Sequence, residues 1–290
     1  MDEDHKSRVQ HPDYDSRYAV ALIAALLGFL LTSLGSGSVE ASERPDRKGT
    51  PDWDLPLGFE SDVFLFRRIK YRSARSYGPW GYDKWAIDYP DAEINMSYRM
   101  QQLTSIRTHP DGDLITLRDP LLFDSPFIYV AEPGDLVLED DEVDQLRNYL
   151  TNGGFLLADD FWGDREWYNF EEQLRRVFPD RKIVDLPLDH QVFNCVFRLN
   201  AFPQVPNVRT GHYSQWTGIT WEEDKMPGAK DPHYRAIFDE LGRMMVMICH
   251  NTDNGDGWEQ EGASEYFFKE FSEKQSYPLG INILFYALTH

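Results

Sequence analysis

The chain has 290 residues, 41% hydrophobic and 14% aromatic, enough apolar material for a sizeable core and too much for a globally disordered chain. Forty-nine acidic against 29 basic residues give a formal net charge of −20. Such a surface repels phosphate backbones and anionic membranes, so nucleic-acid binding is not expected. The acidity serves solubility, or presents a surface to a divalent cation or a basic partner. Two cysteines, Cys195 and Cys249, are too few for a disulfide framework. One bridge and two separate buried thiols both remain open.

Residues 1–18 are polar and carry Lys6, Arg8 and Arg17 ahead of an uncharged, mostly apolar run from Ala19 to Leu34. That run is shorter than the ~20 residues a membrane-spanning helix needs. It suits the core of a signal peptide, and Val39-Glu40-Ala41 offers a small-x-small cleavage site. The expected organisation is a signal peptide over 1–41, a linker over 42–58 and a single α/β domain over 59–290. The protein is then exported, periplasmic or secreted, with no membrane span in the mature chain. An uncleaved leader would instead anchor it to the membrane. No cysteine lies near the site, so a lipoprotein is not expected.

Along the mature chain, the Pro-, Asp- and Arg-rich stretch 42–58 reads as linker. Val63-Phe64-Leu65-Phe66 opens a strand that continues through Ile69 and Tyr71. Residues 73–90 gather Tyr77, Trp80, Tyr82, Trp85 and Tyr89 among Gly and Pro. Such a loop is pinned to a core or serves as a ligand platform, which makes Trp80 and Trp85 ligand-binding candidates. A helix is expected over 91–103, capped by Asp91, with Met96, Met100 and Leu103 as its apolar stripe. Short strands follow at 114–117 and 127–131. Glu139-Asp140-Asp141-Glu142 opens a helix with acids at the positive end of its dipole, and Gly153-Gly154 ends it. Phe155-Leu156-Leu157-Ala158 is a buried strand that stops at Asp159-Asp160. A helix over 165–177 leads to another buried strand at 183–186. This alternation predicts a parallel sheet with right-handed crossovers. Residues 187–240 read as an irregular excursion. Met244 to Cys249 forms a last buried strand, and Pro278 starts a C-terminal helix.

Four strings then stand out: Trp85-Ala86-Ile87-Asp88-Tyr89-Pro90-Asp91-Ala92-Glu93, the junction from Leu150 to Asp160, Asp189-His190-Gln191-Val192-Phe193, and the loop from Asn251 to Glu259. Together they resemble the bacterial family called domain of unknown function 4159, over roughly residues 60–290. The resemblance implies a class I glutamine amidotransferase-like fold, that is, a flavodoxin-like layered, mostly parallel sheet with helices on both faces. It also implies a distant similarity to the trehalose-utilisation group and an exported or membrane-tethered setting. It implies no activity.

An amidotransferase needs a nucleophilic Cys on a glycine-flanked strand-to-helix turn, with a His base. Cys195 sits in an apolar string without glycines, and Cys249-His250 ends a strand with no tight-turn glycine. No Gly-x-Ser-x-Gly elbow or Gly-rich phosphate loop exists. Carboxylates and histidines remain. Asp159 and Asp160 stand at a strand C-terminus, where open α/β sheets bind ligands, although adjacent strand residues face opposite ways and one of them is expected to cap a helix or loop. With His190, which follows Asp189 in a loop, they are the catalytic candidates. Asp253, Asp256 and Glu259 share one loop and are the metal candidates, with a divalent cation as the one cofactor expected. The alternative is a solvated turn, because the EF-hand spacing fails at Gly255. His212, after Gly211, matches no zinc spacing.

Three functions follow as expectations. The first is a non-catalytic or sensory domain of the cell envelope that binds a small ligand or protein partner on a scaffold without its nucleophile. The second is a carboxylate- or metal-dependent hydrolase acting on carbohydrate. The third is a structural component of an exported assembly.

Overall fold

The structure is a computed structural model that describes residues 47–55, 57–58, 62–75 and 83–290. The expected leader, the start of the linker and Trp80 lie outside the described residues. In chain order, the strands are β1 (Arg67–Ile69), β2 (Arg72–Ser73), β3 (Asp113–Ile115), β4 (Phe127–Ala131), β5 (Leu136–Val137), β6 (Phe155–Asp159), β7 (Val184–Asp185), β8 (His233–Phe238) and β9 (Met244–His250). The helices are α1 (Asp91–Leu103), α2 (Asp140–Thr151), α3 (Gly163–Val177), α4 (Val208–Thr217), α5 (Asn254–Glu259), α6 (Glu265–Phe267) and α7 (Tyr277–Thr289). A π-helical stretch, Phe268–Ser276, joins the last two.

Seven strands form one sheet in the order β3-β1-β4-β6-β9-β8-β7. The pairs from β3 to β9 are parallel, and β8 runs antiparallel to both β9 and β7. The continuous apolar runs of β4, β6 and β9 are buried throughout, as central parallel strands require. Alternation along β4 sends Phe127, Tyr129 and Ala131 into one core with Met96 and Met100 of α1 and Ile281 and Leu284 of α7. It sends Ile128 and Val130 into the other, with Leu146 of α2 and Phe170 and Leu174 of α3. Helix α2 begins with a capping box: Glu142 returns its carboxylate to the Glu139 N–H at 2.9 Å.

Several sequence expectations shift. The segment 183–186 is no buried parallel strand. Its paired part, β7, is exposed and antiparallel, because β8 inserts between it and the parallel strands. The irregular excursion contains two regular elements, α4 and β8. In the first strand only 67–69 joins the ladder, and Phe64 makes a single bridge to Thr108. Leu103 is exposed rather than part of α1's stripe. Asp91 is the first helical residue, and its carboxylate binds the Lys48 ammonium instead of capping α1. Both cysteines are free: Cys249 is buried in β9, and the Cys195 thiol donates to the Asn282 carbonyl at 3.2 Å. Among the described residues, no helix is long and apolar enough to cross a membrane.

Candidate functional site

The parallel strands end at one edge of the sheet, the edge where open α/β folds place their ligands. Three of them leave the sheet through a non-glycine residue in the left-handed region. Glu132 follows β4 at φ 46°, Asp160 follows β6 at φ 59° and Asn251 follows β9 at φ 62°. Asp88, ahead of α1, adopts φ 60°. Such conformations persist only where surrounding contacts enforce them, and they gather at working sites. Asp and Asn tolerate them best, which accounts for three of these four residues.

The contacts are specific. Asp159, the last residue of β6, accepts from the Asn254 amide N–H at 2.9 Å, the Asn254 side chain at 2.8 Å, the Gly255 N–H at 3.2 Å and the Tyr129 hydroxyl at 3.3 Å. It therefore clamps the turn at the start of α5, and burial pushes its carboxyl up to about 7. Beyond it the chains from β6 and β9 pair once more, with the Asp160 N–H on the Thr252 carbonyl at 3.1 Å and the Asn251 N–H on the Phe161 carbonyl at 2.9 Å. The Asn251 side chain accepts from the Gly163 N–H and donates to the Gly228 and Asp231 carbonyls at 2.7 and 2.6 Å. Gly163 opens α3 at φ 72°, and a Cβ there would lie 2.1 Å from the Lys225 carbonyl oxygen. Only glycine lets the 222–227 segment close this wall of the site.

The turn from Asp253 to Asp256 projects carboxylates into the same space. Asp253 accepts from the Asp256 N–H at 2.8 Å and caps α5, while Asp256 accepts from the Val208 N–H at 2.6 Å at the start of α4. Asp88 comes from the opposite side. It is 6% exposed, and its Oδ2 is buried with no hydrogen-bond donor among the described residues. One carboxylate oxygen from each of Asp88, Asp253 and Asp256 lies within 4.8 Å of the others, and all three residues are buried. Arg68 of β1 fixes the Asp88 loop from below. Its guanidinium pairs with buried Glu93 and donates to the Trp85 carbonyl at 2.9 Å and to the Ile87 carbonyl.

A cleft of about 430 Å³ opens over this group. Its walls carry the acids Glu132, Asp160, Glu222, Asp224, Asp253 and Asp256, with Arg209 and Lys225 as the cations. Lys225 is engaged by Glu166 at 3.0 Å, and Lys84 beneath the cleft binds Glu132 at 3.1 Å and Asp135 at 3.3 Å. Burial, then one another's charge, pushes Asp88, Asp160 and Asp253 well above the usual carboxylate range. Burial, with the charges of Glu259 and Glu222, raises Asp256 to about 7, restrained by the Val208 N–H. Raised carboxyls in a cleft can hold and hand over protons near neutral pH.

The structure thus brings together Asp160, Asp253 and Asp256 and adds Asp88 and Glu132, which sequence reasoning missed. The turn at 253–256 is buried rather than solvated. Asp159 stands directly beneath as the clamp. Glu259 ends α5 and faces a separate groove beside Lys48 and Asp91. His190 lies at the other edge of the sheet, its ring 6.1 Å from that of Phe238, which pairs with Met244 where β9 begins. It does not meet the carboxylates. Trp85 is half-buried against the core, with the Lys70 ammonium 5.2 Å over its ring. His212 contacts Ser264 at 2.9 Å. His250 is buried beside Phe161 and Trp167, with ring centroids 4.8 and 5.4 Å away. It accepts from Arg235 and donates to the Gly163 carbonyl, both at 3.2 Å. Burial, with Arg235, depresses its imidazole to about 3, so it is neutral and not paired with Cys249 as a base.

A family model described as a domain of unknown function (DUF4159) matches residues 66–288, a span that holds every residue of this cluster. No curated protein matches the chain.

Proposed function

Because this chain belongs to the DUF4159 family, whose description carries no activity, its own site must supply the reading, and we propose that it is an exported hydrolase that works with carboxylates on carbohydrate. One observation carries this reading: separately anchored segments deliver Asp160, Asp253 and Asp256 to one cleft, with Asp88 buried against the last two, and hold all four with raised affinities for protons. A cleft so rich in carboxylates rejects phosphate and carboxylate substrates and favours hydroxyl donors, as sugars are. Asp160, which lines the cleft, is the proton donor to the leaving glycosidic oxygen. An ionised neighbour takes a proton from water as its hydroxyl joins the anomeric carbon and the C–O bond breaks.

The mostly parallel sheet and its helices support an amidotransferase-like, flavodoxin-like scaffold in which carboxylates stand in for the thiol. Hydrolysis of a panel of nitrophenyl glycosides tests the activity. At least one is expected to be cleaved, with kcat lowered ~10²-fold or more in Asp160→Asn while the fold is kept. Equal rates in the two proteins, or no cleavage and no thermal shift with any sugar, would remove the hydrolase reading.

Export rests on the apolar run Ala19–Leu34 and the small-x-small string before Ser42. Mass spectrometry of protein recovered outside the cytoplasm is expected to give Ser42 as the first residue, and Met1 would show an uncleaved leader.

A further inference from the structure

We infer that Asp88, Asp253 and Asp256 together hold one hard divalent cation at the C-terminal edge of the sheet. The inference rests on the reading of this cleft as the working site, and goes beyond it by assigning the ion and its ligands. Four observations converge on it.

The first is placement. The three carboxylates come from different segments: Asp88 from the loop before α1, and Asp253 and Asp256 from the turn after β9. Each still offers an oxygen within 4.8 Å of the other two. Like charges that close are unfavourable without something positive between them.

The second is what is left unbound. Asp253 and Asp256 each give one oxygen to a backbone N–H, and among the described residues no donor reaches the other. Asp88 Oδ2 is buried and has no donor among the described residues. A buried carboxylate oxygen without a partner loses its hydration with no return, a state that an ion relieves. This oxygen lies against Gly255, where a Cβ would approach it to 2.4 Å. The turn therefore keeps a side-chain-free surface beside it.

The third is that, among the described residues, no cation forms an ion pair with the three. Lys84 serves Glu132 and Asp135, Lys225 serves Glu166, Arg68 pairs with Glu93 and reaches Asp88 only through its field, and Arg209, also on the cleft wall, pairs with none of them.

The fourth is the donor set. It is all oxygen, since His250 is packed against Phe161 and Trp167 and Cys249 is buried within β9. Carboxylate oxygens with water select Ca²⁺, Mg²⁺ or Mn²⁺ over softer ions. Asp160 and Glu132, on the same cleft, stand beside the ion rather than among its three ligands. An ion held there would lower the pKa of a bound water and supply the nucleophile that the absent thiol does not. The rival arrangement has Asp88 and Asp256 share a proton with no ion.

The test is calorimetric titration of the chelator-treated full chain at pH 7.5 with CaCl₂, MgCl₂ and MnCl₂, alongside melting temperatures. One saturable equivalent of at least one ion is expected, with a rise of several degrees at 100 times its dissociation constant. Asp88→Asn and Asp253→Asn are expected to weaken binding at least 10-fold, and Asp185→Asn, an exposed carboxylate on β7, to leave it unchanged. Asn suits the left-handed backbone at 88 and keeps the α5 cap at 253, so both variants retain the local backbone. No saturable equivalent with any of the three ions at millimolar concentration overturns the assignment, as does wild-type affinity in both variants. Glycoside cleavage that persists in EDTA would leave the hydrolase standing without the ion. Stoichiometric binding with no cleavage would leave the ion standing without the hydrolase.

Discussion

Arg68→Met is expected to destabilise the protein by about 3–5 kcal/mol, the effect of removing one partner from a buried ion pair. Both side chains of the pair with Glu93 are fully buried, and the guanidinium also holds the carbonyls of Trp85 and Ile87. Its loss strands the Glu93 carboxylate in a core where burial already pushes that group upward. For a domain of this size the melting temperature falls on the order of 10 °C. The pair is not well satisfied to begin with, since Arg68 Nη2 and Glu93 Oε2 are buried with no partner among the described residues. Replacing both residues, as Arg68→Met with Glu93→Leu, is therefore expected to recover most of the loss.

Stability and function should then part company. The double variant regains its core but not the clasp on the Trp85–Ile87 backbone that aims Asp88. It is expected to bind a cation at least 10-fold more weakly than the parent while unfolding at a similar denaturant concentration. Denaturant titrations of the two singles and the double, each followed by ion calorimetry, check both halves. A double variant as unstable as Arg68→Met would mean that the carbonyl contacts, not the charge pair, hold this region.

That clasp also marks where sequence reasoning stops. The central strands are legible because a strand buried on both faces must be apolar along its whole length, and β4, β6 and β9 are. Helix α2 is legible from its acidic first turn and terminal glycines, and these signals are local. The direction of β7 is not legible, because it depends on β8, which lies some fifty residues onward in an excursion punctuated by proline. The string His233-Tyr-Arg-Ala-Ile-Phe does alternate, and weighting that period above the prolines reveals the strand. Helix α4 carries no apolar period, since its buried residues are Gly211 and Ser214.

In the site, Asp159 and Asp160 divide as expected, one into a structural clamp and one into the cleft, but the left-handed turn at Asp160, not strand alternation, separates them. Asp253 and Asp256 are legible as a carboxylate pair, but their burial is not, since nothing local says that Asp159 will fold the turn inward. Asp88 is hidden among aromatics, and only the three-dimensional meeting of β1, the loop and α5 gives it a role. Its sole local signal is an Asp just before a helix. His190 shows the converse: a histidine beside an acid looks chemical in sequence, yet the fold carries it to the far edge.

The cation-free protein is expected to lose stability as pH rises from about 4 to about 7, the reverse of ordinary acid denaturation. A carboxyl raised in the folded state keeps its proton while the unfolded chain releases it. Its contribution is fully present below the ordinary 3.8 and is lost by the folded value of about 7. At about 1.36 kcal/mol per pH unit, Asp159 alone accounts for on the order of 4 kcal/mol. Asp256, also at about 7, and the raised Asp88, Asp160 and Asp253 act in the same direction. His250 opposes them: its imidazole, depressed to about 3, makes the fold weaken as pH falls below 6.5. His190 and His233 are also lowered by burial and act with His250, but the buried carboxyls raised in the fold outnumber the three, so the carboxyl trend prevails. Melting temperatures in EDTA across pH 4–8 measure the sum. Asp253→Asn is expected to flatten the fall and to melt higher than the parent at pH 7.5, since it removes one of the crowded charges. A saturating cation is expected to shrink the fall in the parent, because it stabilises the ionised forms of its three ligands, and to leave the share that Asp159 contributes beneath the site. A melting temperature that instead climbs steadily from pH 4 to 7 in EDTA would mean that these carboxyls ionise freely in the fold, and the crowding inferred for the cleft would not exist.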